Sequence, residues 1–259
     1  MPLPIPPPPR RTLLVVIVAV VVVLLVVGFL ALTGVFTPGS GHNGQGLTEP
    51  PVSYSQVASV GADAVQGEIG GPWTLVAVEG FGLSSSASGA VVSGTLDDGC
   101  TAYPAPGAPS AGTLPATPTG SPPGTSALWM FLATNDSEDV LIVAVTWNAS
   151  APIFIISGSC TGQFTDLGSL AGLSVVNSTQ VALAANGDGG STFLADNPGA
   201  FQSFVLLGPG VDGSDLPYWA VEYNTCGLAT TGTGSQIVGV YDAENGAEVA
   251  APTTSSVDC

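Results

Sequence analysis

The sequence predicts an α+β fold: an N-terminal transmembrane helix followed by a mainly antiparallel-β ectodomain with a few short helices. Three observations predict it. Leu13 to Phe36 is a run of 24 residues without a charge, a side-chain amide or a proline. Three eight-residue apolar runs, residues 127–134, 140–147 and 153–160, are rich in β-branched and aromatic types, which favours strands over helices. A C-terminal series of similar segments is separated by Gly, Asn and Asp.

Residues 1–12 form a cytoplasmic stub, and residues 13–36 the membrane helix. At about 1.5 Å per residue the run is roughly 36 Å long, enough for a hydrocarbon core of about 30 Å with some tilt. A cleaved signal has a shorter apolar stretch, of about 7 to 15 residues, and a small-x-small cleavage site. "ALTG" (Ala31–Gly34) supplies a poor one, so a retained anchor is expected. Arg10 and Arg11, the chain's only Lys/Arg residues, precede the run directly. They act as the positive-inside signal, leaving the N-terminus in the cytoplasm and the C-terminal domain extracellular at the plasma membrane. "RRTLL" also fits the bare twin-arginine pattern, but a segment this hydrophobic reads as an anchor. A pilin stem is disfavoured because Gly and Pro break the helix directly after Phe36.

Residues 37–52 form a Gly/Pro linker, and residues 53–259 the ectodomain. In "SYSQVASVGADAVQG", Val57, Val60, Ala64 and Val65 share a helical face, with Ser53 as cap and Gly67 as stop. "PWTLVAVEGFG" follows as a strand, and "AVVSGTL" as another running toward Cys100. The Pro/Gly/Thr tract of residues 103–126 cannot bury a core and is expected to be mobile. It offers a division into two subdomains, 53–102 and 127–259. "NDSED" (residues 135–139) joins the first two apolar runs as a hairpin loop. Short helices are expected at residues 166–173, at 178–185 with Asn186-Gly187 as the stop, and at "STFLADN" before Pro198. "FQSFVLLG", "PYWAVEYNTC", "SQIVGVYD" and "GAEVAA" then form a meander, its last turn made by residues 242–246 with Asn245 and Gly246 free to take positive φ. Pro72-Trp73 echoes Pro217-Tyr218-Trp219, which suggests that residues 53–79 and 191–222 are copies of one helix–strand unit.

Charged residues make up 8 % of the chain, against about 25 % in ordinary globular proteins. All 19 acidic residues lie beyond the membrane run, where His42 is the only other titratable cation. Near pH 3 most carboxylates approach neutrality and no cations are left to repel one another. That is the pattern of a domain facing an acidic medium. Nothing could neutralise phosphates, so a nucleic-acid partner is excluded.

Cys100, Cys160, Cys226 and Cys259 all fall outside the membrane run. An even number in an exported domain reads as two disulfides, and Cys100–Cys160 with Cys226–Cys259 pairs chain neighbours. Without C-x-x-C or a usable histidine, metal ligation is disfavoured. Asn135, Asn148 and Asn177 begin sequons and are candidate glycosylation sites.

Beyond the membrane run there is no lysine or arginine, and the one histidine, His42, lies in the linker, which removes His-based triads, lysine bases, arginine clamps and histidine metal sites together. "GSCTG" (residues 158–162) matches a nucleophile elbow in form but has no base, and "GSGHNG" (residues 39–44) opens no helix. Only carboxylate chemistry survives, with Asp97, Asp98, Asp212 and Asp215 as acids for a dyad, and "NDSED" or "NGDGG" as weak calcium loops lacking the alternating-acid pattern. No catalytic residue, metal site or cofactor is assigned. The expected role is structural or protein-binding at an acidic cell surface, with other surface proteins or peptidases as partners. An acid-active carboxylate hydrolase is the alternative.

The C-terminal segment resembles the PepSY family. A short helix, a Tyr-Trp-x-Val strand (Tyr218–Val221) and "VYDAENGAEV" (residues 240–249) are similar to that family's repeat, which ends in a Val-Asp-Ala-x-x-Gly-x-Val hairpin. The likeness covers about 60 residues of 259. It implies a helix packed on an antiparallel sheet in an exported or membrane-tethered module that binds or restrains peptidases. It carries over no functional residues.

Overall fold

The computed structural model describes residues 37–38, 52–67, 72–81, 90–93, 100–103, 111–114, 122–126, 128–135, 139–148, 151–161, 167–198, 200–225 and 232–258. The apolar run 13–36, with Arg10, Arg11 and His42, lies outside them. Among the described residues no helix is long and apolar enough to cross a membrane.

Among the described residues, fourteen strands and three α-helices follow one another along the chain. Strands β1 (Thr37–Pro38), β2 (Val52–Ser53), β3 (Thr74–Phe81), β4 (Ala90–Ser93), β5 (Cys100–Tyr103), β6 (Ala111–Leu114) and β7 (Thr125–Ser126) occupy the first half. Strands β8 (Leu128–Thr134), β9 (Asp139–Asn148) and β10 (Ala151–Thr161) are the three predicted apolar runs. Strands β11 (Phe201–Leu207), β12 (Tyr218–Asn224), β13 (Thr233–Asp242) and β14 (Glu248–Asp258) close the chain. The helices are α1 (Tyr54–Gly67), α2 (Ser178–Ala185) and α3 (Ser191–Asp196). The α+β class with antiparallel sheets and few helices is what the sequence led us to expect.

One nine-stranded sheet, ordered β14-β13-β12-β11-β3-β8-β9-β10-β5, dominates, and every neighbouring pair is antiparallel. Strand β3 sits between β11 and β8, so residues from both suggested subdomains share one sheet and the division at the tract fails. Within the tract, β6 pairs with β4 and β7 pairs with β2, so its described residues are built into sheets. Strand β4 joins this smaller sheet instead of leading to Cys100, and β1 extends it by two residues of the expected linker.

Side chains alternate across a strand, so the register assigns each residue to a face. Val78, Trp129, Phe131, Leu141, Val143, Phe204, Leu206, Trp219, Val221, Tyr223 and Tyr241 lie on the face that carries the helices, and form one buried cluster with Val57, Val65, Val181 and Ala182. Gly61 of α1 meets the ring of Phe131, so any side chain there would lift the helix off the sheet.

The helix starts are tied together. Gln56 Oε1 accepts from Ser53 N (2.9 Å) and Ser53 Oγ (3.0 Å), a capping arrangement that uses Gln at the third helical position. Tyr54 N donates to Ser178 Oγ (2.9 Å) and Ser55 N to Asn177 Oδ1 (3.0 Å). Ser178 Oγ, fully buried, passes its own proton to Gly124 O (2.6 Å). Amides that α1 leaves unpaired are thus satisfied by the first residues of α2.

Two expectations fail. Described residues 167–173 are not helical. Gly168 N donates to Pro209 O and Leu170 N to Leu75 O (2.8 Å), and Gly172 takes φ 79°. Those tertiary partners outcompete a helix carrying two glycines. The proposed repeat also fails, because α1 leads straight into β3 whereas β11 intervenes between α3 and β12.

Candidate functional site

Two carboxyl side chains are buried at the centre of the sheet, on the face away from the helices. Glu79 of β3 is 3 % exposed and Glu222 of β12 is 4 % exposed. Glu79 stands opposite Val205 of β11, and Glu222 stands opposite Ser203 of the same strand. Val205 and Ser203 are two residues apart, so both carboxyls share a face, displaced by two strand spacings (about 9.5 Å) across and one pleat repeat along. Met130 of β8 and Val238 of β13, both buried, lie beside them in the same rows.

Their surroundings differ. Glu222 Oε1 accepts from Asn224 Nδ2 (2.8 Å) and Oε2 from Ser203 Oγ (3.3 Å). Neither oxygen of Glu79 has a hydrogen-bond partner among the described residues. Gln236 of β13, in the row of Asn224, gives Nε2 to Ser255 Oγ (3.1 Å) and leaves Oε1 unpaired. Burial raises the pKa of both acids. For Glu222 the two donors oppose the rise. For Glu79 the charge of Glu222 adds to it and the carboxyl is held well above the ordinary range. Glu222 therefore ionises first, and its field keeps the proton on Glu79.

A second polar set lies on the helix face, around the turn Asn186–Gly190 that joins α2 to α3. Tyr223 Oη donates to Asn186 Oδ1 (2.7 Å) and accepts from Gln202 Nε2 (2.8 Å), while Tyr241 Oη donates to Asp188 Oδ2 (3.0 Å). Burial drives both phenols far above their usual range, so both hydroxyls stay neutral. Gly190 has no room for a side chain against the Tyr223 ring, whose ζ carbon would lie 2.5 Å from an added Cβ. The set closes the end of the core and brings one exposed carboxylate to it.

The acids singled out from sequence do not converge. Asp97 and Asp98 lie outside the described residues. Asp212 and Asp215 follow Gly210 in a turn, with Asp215 exposed. "GSCTG" gives its first four residues to strand β10, so no strand–turn–helix elbow exists there. In "NGDGG", Asp188 is bound to Tyr241, and among the described residues no group of three His, Cys, Asp or Glu could hold a metal. Asn177 is built into the α1–α2 junction and gives Nδ2 to Thr179 Oγ1 (3.0 Å); Asn148 ends β9 and Asn135 follows β8. The buried pair was missed because Glu79 and Glu222 occupy strands 143 residues apart in sequence. A usable signal existed: each is a lone acid inside an apolar β run.

Register brings Cys100 of β5 directly opposite Cys160 of β10. Facing residues in an antiparallel pair have Cα atoms about 4.5 to 5.5 Å apart, inside the disulfide range. Cys226 and Cys259 lie outside the described residues, but the residues before them, Thr225 and Asp258, flank the same end of β13. Five strand steps, about 24 Å, separate β10 from β12. We therefore propose Cys100–Cys160 as one bond, and peptide mapping without reductant should recover residues 100 and 160 in one linked species. The chain-entropy gain for that loop is about 4 kcal/mol. A Cys160–Cys226 link, or free thiol at Cys100, would refute it.

No protein-family model matches the chain, and neither a curated protein nor a solved structure is significantly similar to it.

Proposed function

We propose that this chain is a single-pass membrane-anchored extracytoplasmic protein with a structural or protein-binding role at an acidic cell surface. The observation that carries the reading is Glu79. It is buried in mid-sheet with no partner for either oxygen among the described residues. The only basic side chains of the chain are Arg10, Arg11 and His42, all earlier in sequence than residue 53. An ionised carboxylate there would cost several kcal/mol without compensation, whereas a protonated one costs far less. The fold accommodates Glu79 at low cost only where the medium supplies the proton.

The same burial argues against the hydrolase. A carboxyl pair that works on a substrate needs a cleft open to it. Glu79 and Glu222 are sealed among Met130, Val205 and Val238 instead.

Full-length protein in detergent should show an unfolding midpoint at pH 3 equal to or above that at pH 7. Protease added to intact cells should remove the chain from about residue 37 onward and leave a small membrane fragment. A domain that unfolds below pH 4, or a C-terminus protected from protease, overturns the reading.

A further inference from the structure

Among the described residues, strand β14 forms one outer edge of the nine-stranded sheet and pairs only with β13. Its residues Thr253, Thr254, Ser255 and Ser256 are all exposed. Its two halves differ. Register breaks between Val238 and Tyr241, near Pro252, then runs without interruption from Thr253↔Val238 to Asp258↔Thr233. Proline and a bulge blunt the first half as an edge, and neither protects the second. Proteins commonly guard an open edge with lysine or a charge in mid-strand. This chain has no lysine, and residues 253–257 (Thr-Thr-Ser-Ser-Val) carry no charge.

From this we infer that residues 253–257 of β14 are a homotypic docking edge, on which a second copy of the chain lays the same segment antiparallel. The segment is complementary to itself. A two-fold axis through Ser255 sets Ser255 against Ser255, Thr254 against Ser256 and Thr253 against Val257, so that no like charges face each other and a β-branched pair forms. The first charged residue, Asp258, falls opposite Pro252. Five paired residues bury less than the roughly 1,000 Å² of a stable free-solution complex. The occupant is therefore one whose local concentration is already high. The proposal rests here on the surface reading: copies anchored in one membrane share orientation, and confinement raises their effective concentration.

The test uses the full chain in its own membranes. A nitroxide is attached to Ser255→Cys, the pH is brought to 3, and dipolar broadening is read. Labels on facing residues should broaden one another strongly, and dilution with unlabelled protein should abolish it. A label on Glu244→Cys, in the exposed turn before β14, should stay sharp. Adding Thr254→Lys and Ser256→Lys to Ser255→Cys should reduce the broadened fraction about fivefold, because positions 254 and 256 face each other across the axis and like charges would stand directly opposite. A sharp spectrum from Ser255→Cys overturns the proposal, as does equal broadening at both positions or broadening that survives dilution. Sharp spectra from protein that keeps its acid stability and protease-sensitive ectodomain would dismiss the pairing and leave the surface reading intact. Loss of acid stability or protection from protease would strike the surface reading itself.

Discussion

Glu79→Gln should flatten the pH profile of stability, removing a loss that the natural chain suffers as the pH rises above about 4.5. The sign follows from the burial of Glu79, which together with the charge of Glu222 raises its folded-state pKa well above the ordinary value of 4.5. Such a group contributes stability that is fully present below its unfolded pKa and is lost as pH rises through the folded one. Between the two pKa values the unfolded chain releases the proton and the folded chain keeps it. Each pH unit in that interval costs about 1.4 kcal/mol. For a domain of this size each such unit is roughly 3 to 6 °C in midpoint.

Calorimetry of both proteins at pH 3 and pH 7 reads the difference directly. The wild-type midpoint should fall from pH 3 to pH 7, and that of Glu79→Gln by much less. Salt separates this from general repulsion. Exposed carboxylates repel through water and are screened by added salt, whereas the desolvation of Glu79 is not. Half-molar salt should therefore recover part of the wild-type loss and leave the part that the substitution removes. Glu222→Gln should give a smaller change, because Asn224 and Ser203 already favour its ionised form. Equal pH slopes for wild type and Glu79→Gln would show that the buried carboxyl does not set acid preference.

The strands were legible because each is a local run rich in β-branched and aromatic residues. Residues 127–134, 140–147 and 217–226 read as strands from hydrophobicity alone, and Asp242 to Gly246 read as a turn. There Glu244 N and Asn245 Nδ2 bind the Asp242 carboxylate, each at 2.8 Å, and Gly246 takes φ 77°. Strand order was not legible, since no local pattern states that β3 inserts between β11 and β8. The buried pair depends on that insertion and disappeared with it. Residues 166–173 misled for the opposite reason. Leu170 is buried by tertiary contact, and its amide is taken by Leu75 O, a partner 95 residues earlier. Length of the last strand also escaped, because "PTTSSVD" has no apolar alternation and is held in the sheet by its register with β13.

Trp129→Ala should cost about 4 to 5 kcal/mol, enough to bring a domain of ordinary stability close to unfolding. Trp129 is fully buried in β8, with its indole stacked on Phe204 at 6.4 Å between centroids and tilted against Tyr54 at 6.0 Å. Its Nε1 donates to Val52 O (3.0 Å), which ties the chain just before α1 to the sheet. Truncation therefore opens a large cavity and also removes the indole hydrogen bond to Val52 O. Trp129→Phe keeps most of the ring volume and loses the hydrogen bond, so about 1 to 3 kcal/mol is expected there. Gly80 supplies the decisive control. It faces Trp129 across β3 and β8, and a Cβ added to it would lie 2.6 Å from the indole ring. Gly80→Ala alone should destabilise by about 1 to 3 kcal/mol through overpacking. In the Trp129→Ala background that ring is gone, and the same methyl should be neutral or stabilising by up to about 1 kcal/mol, since alanine is better than glycine in a strand. The two substitutions should thus couple by more than about 1 kcal/mol in chemical denaturation. Strictly additive effects would mean that the indole does not lie over Gly80, and with it would fall the register of β3 against β8 that places Glu79 beside Met130.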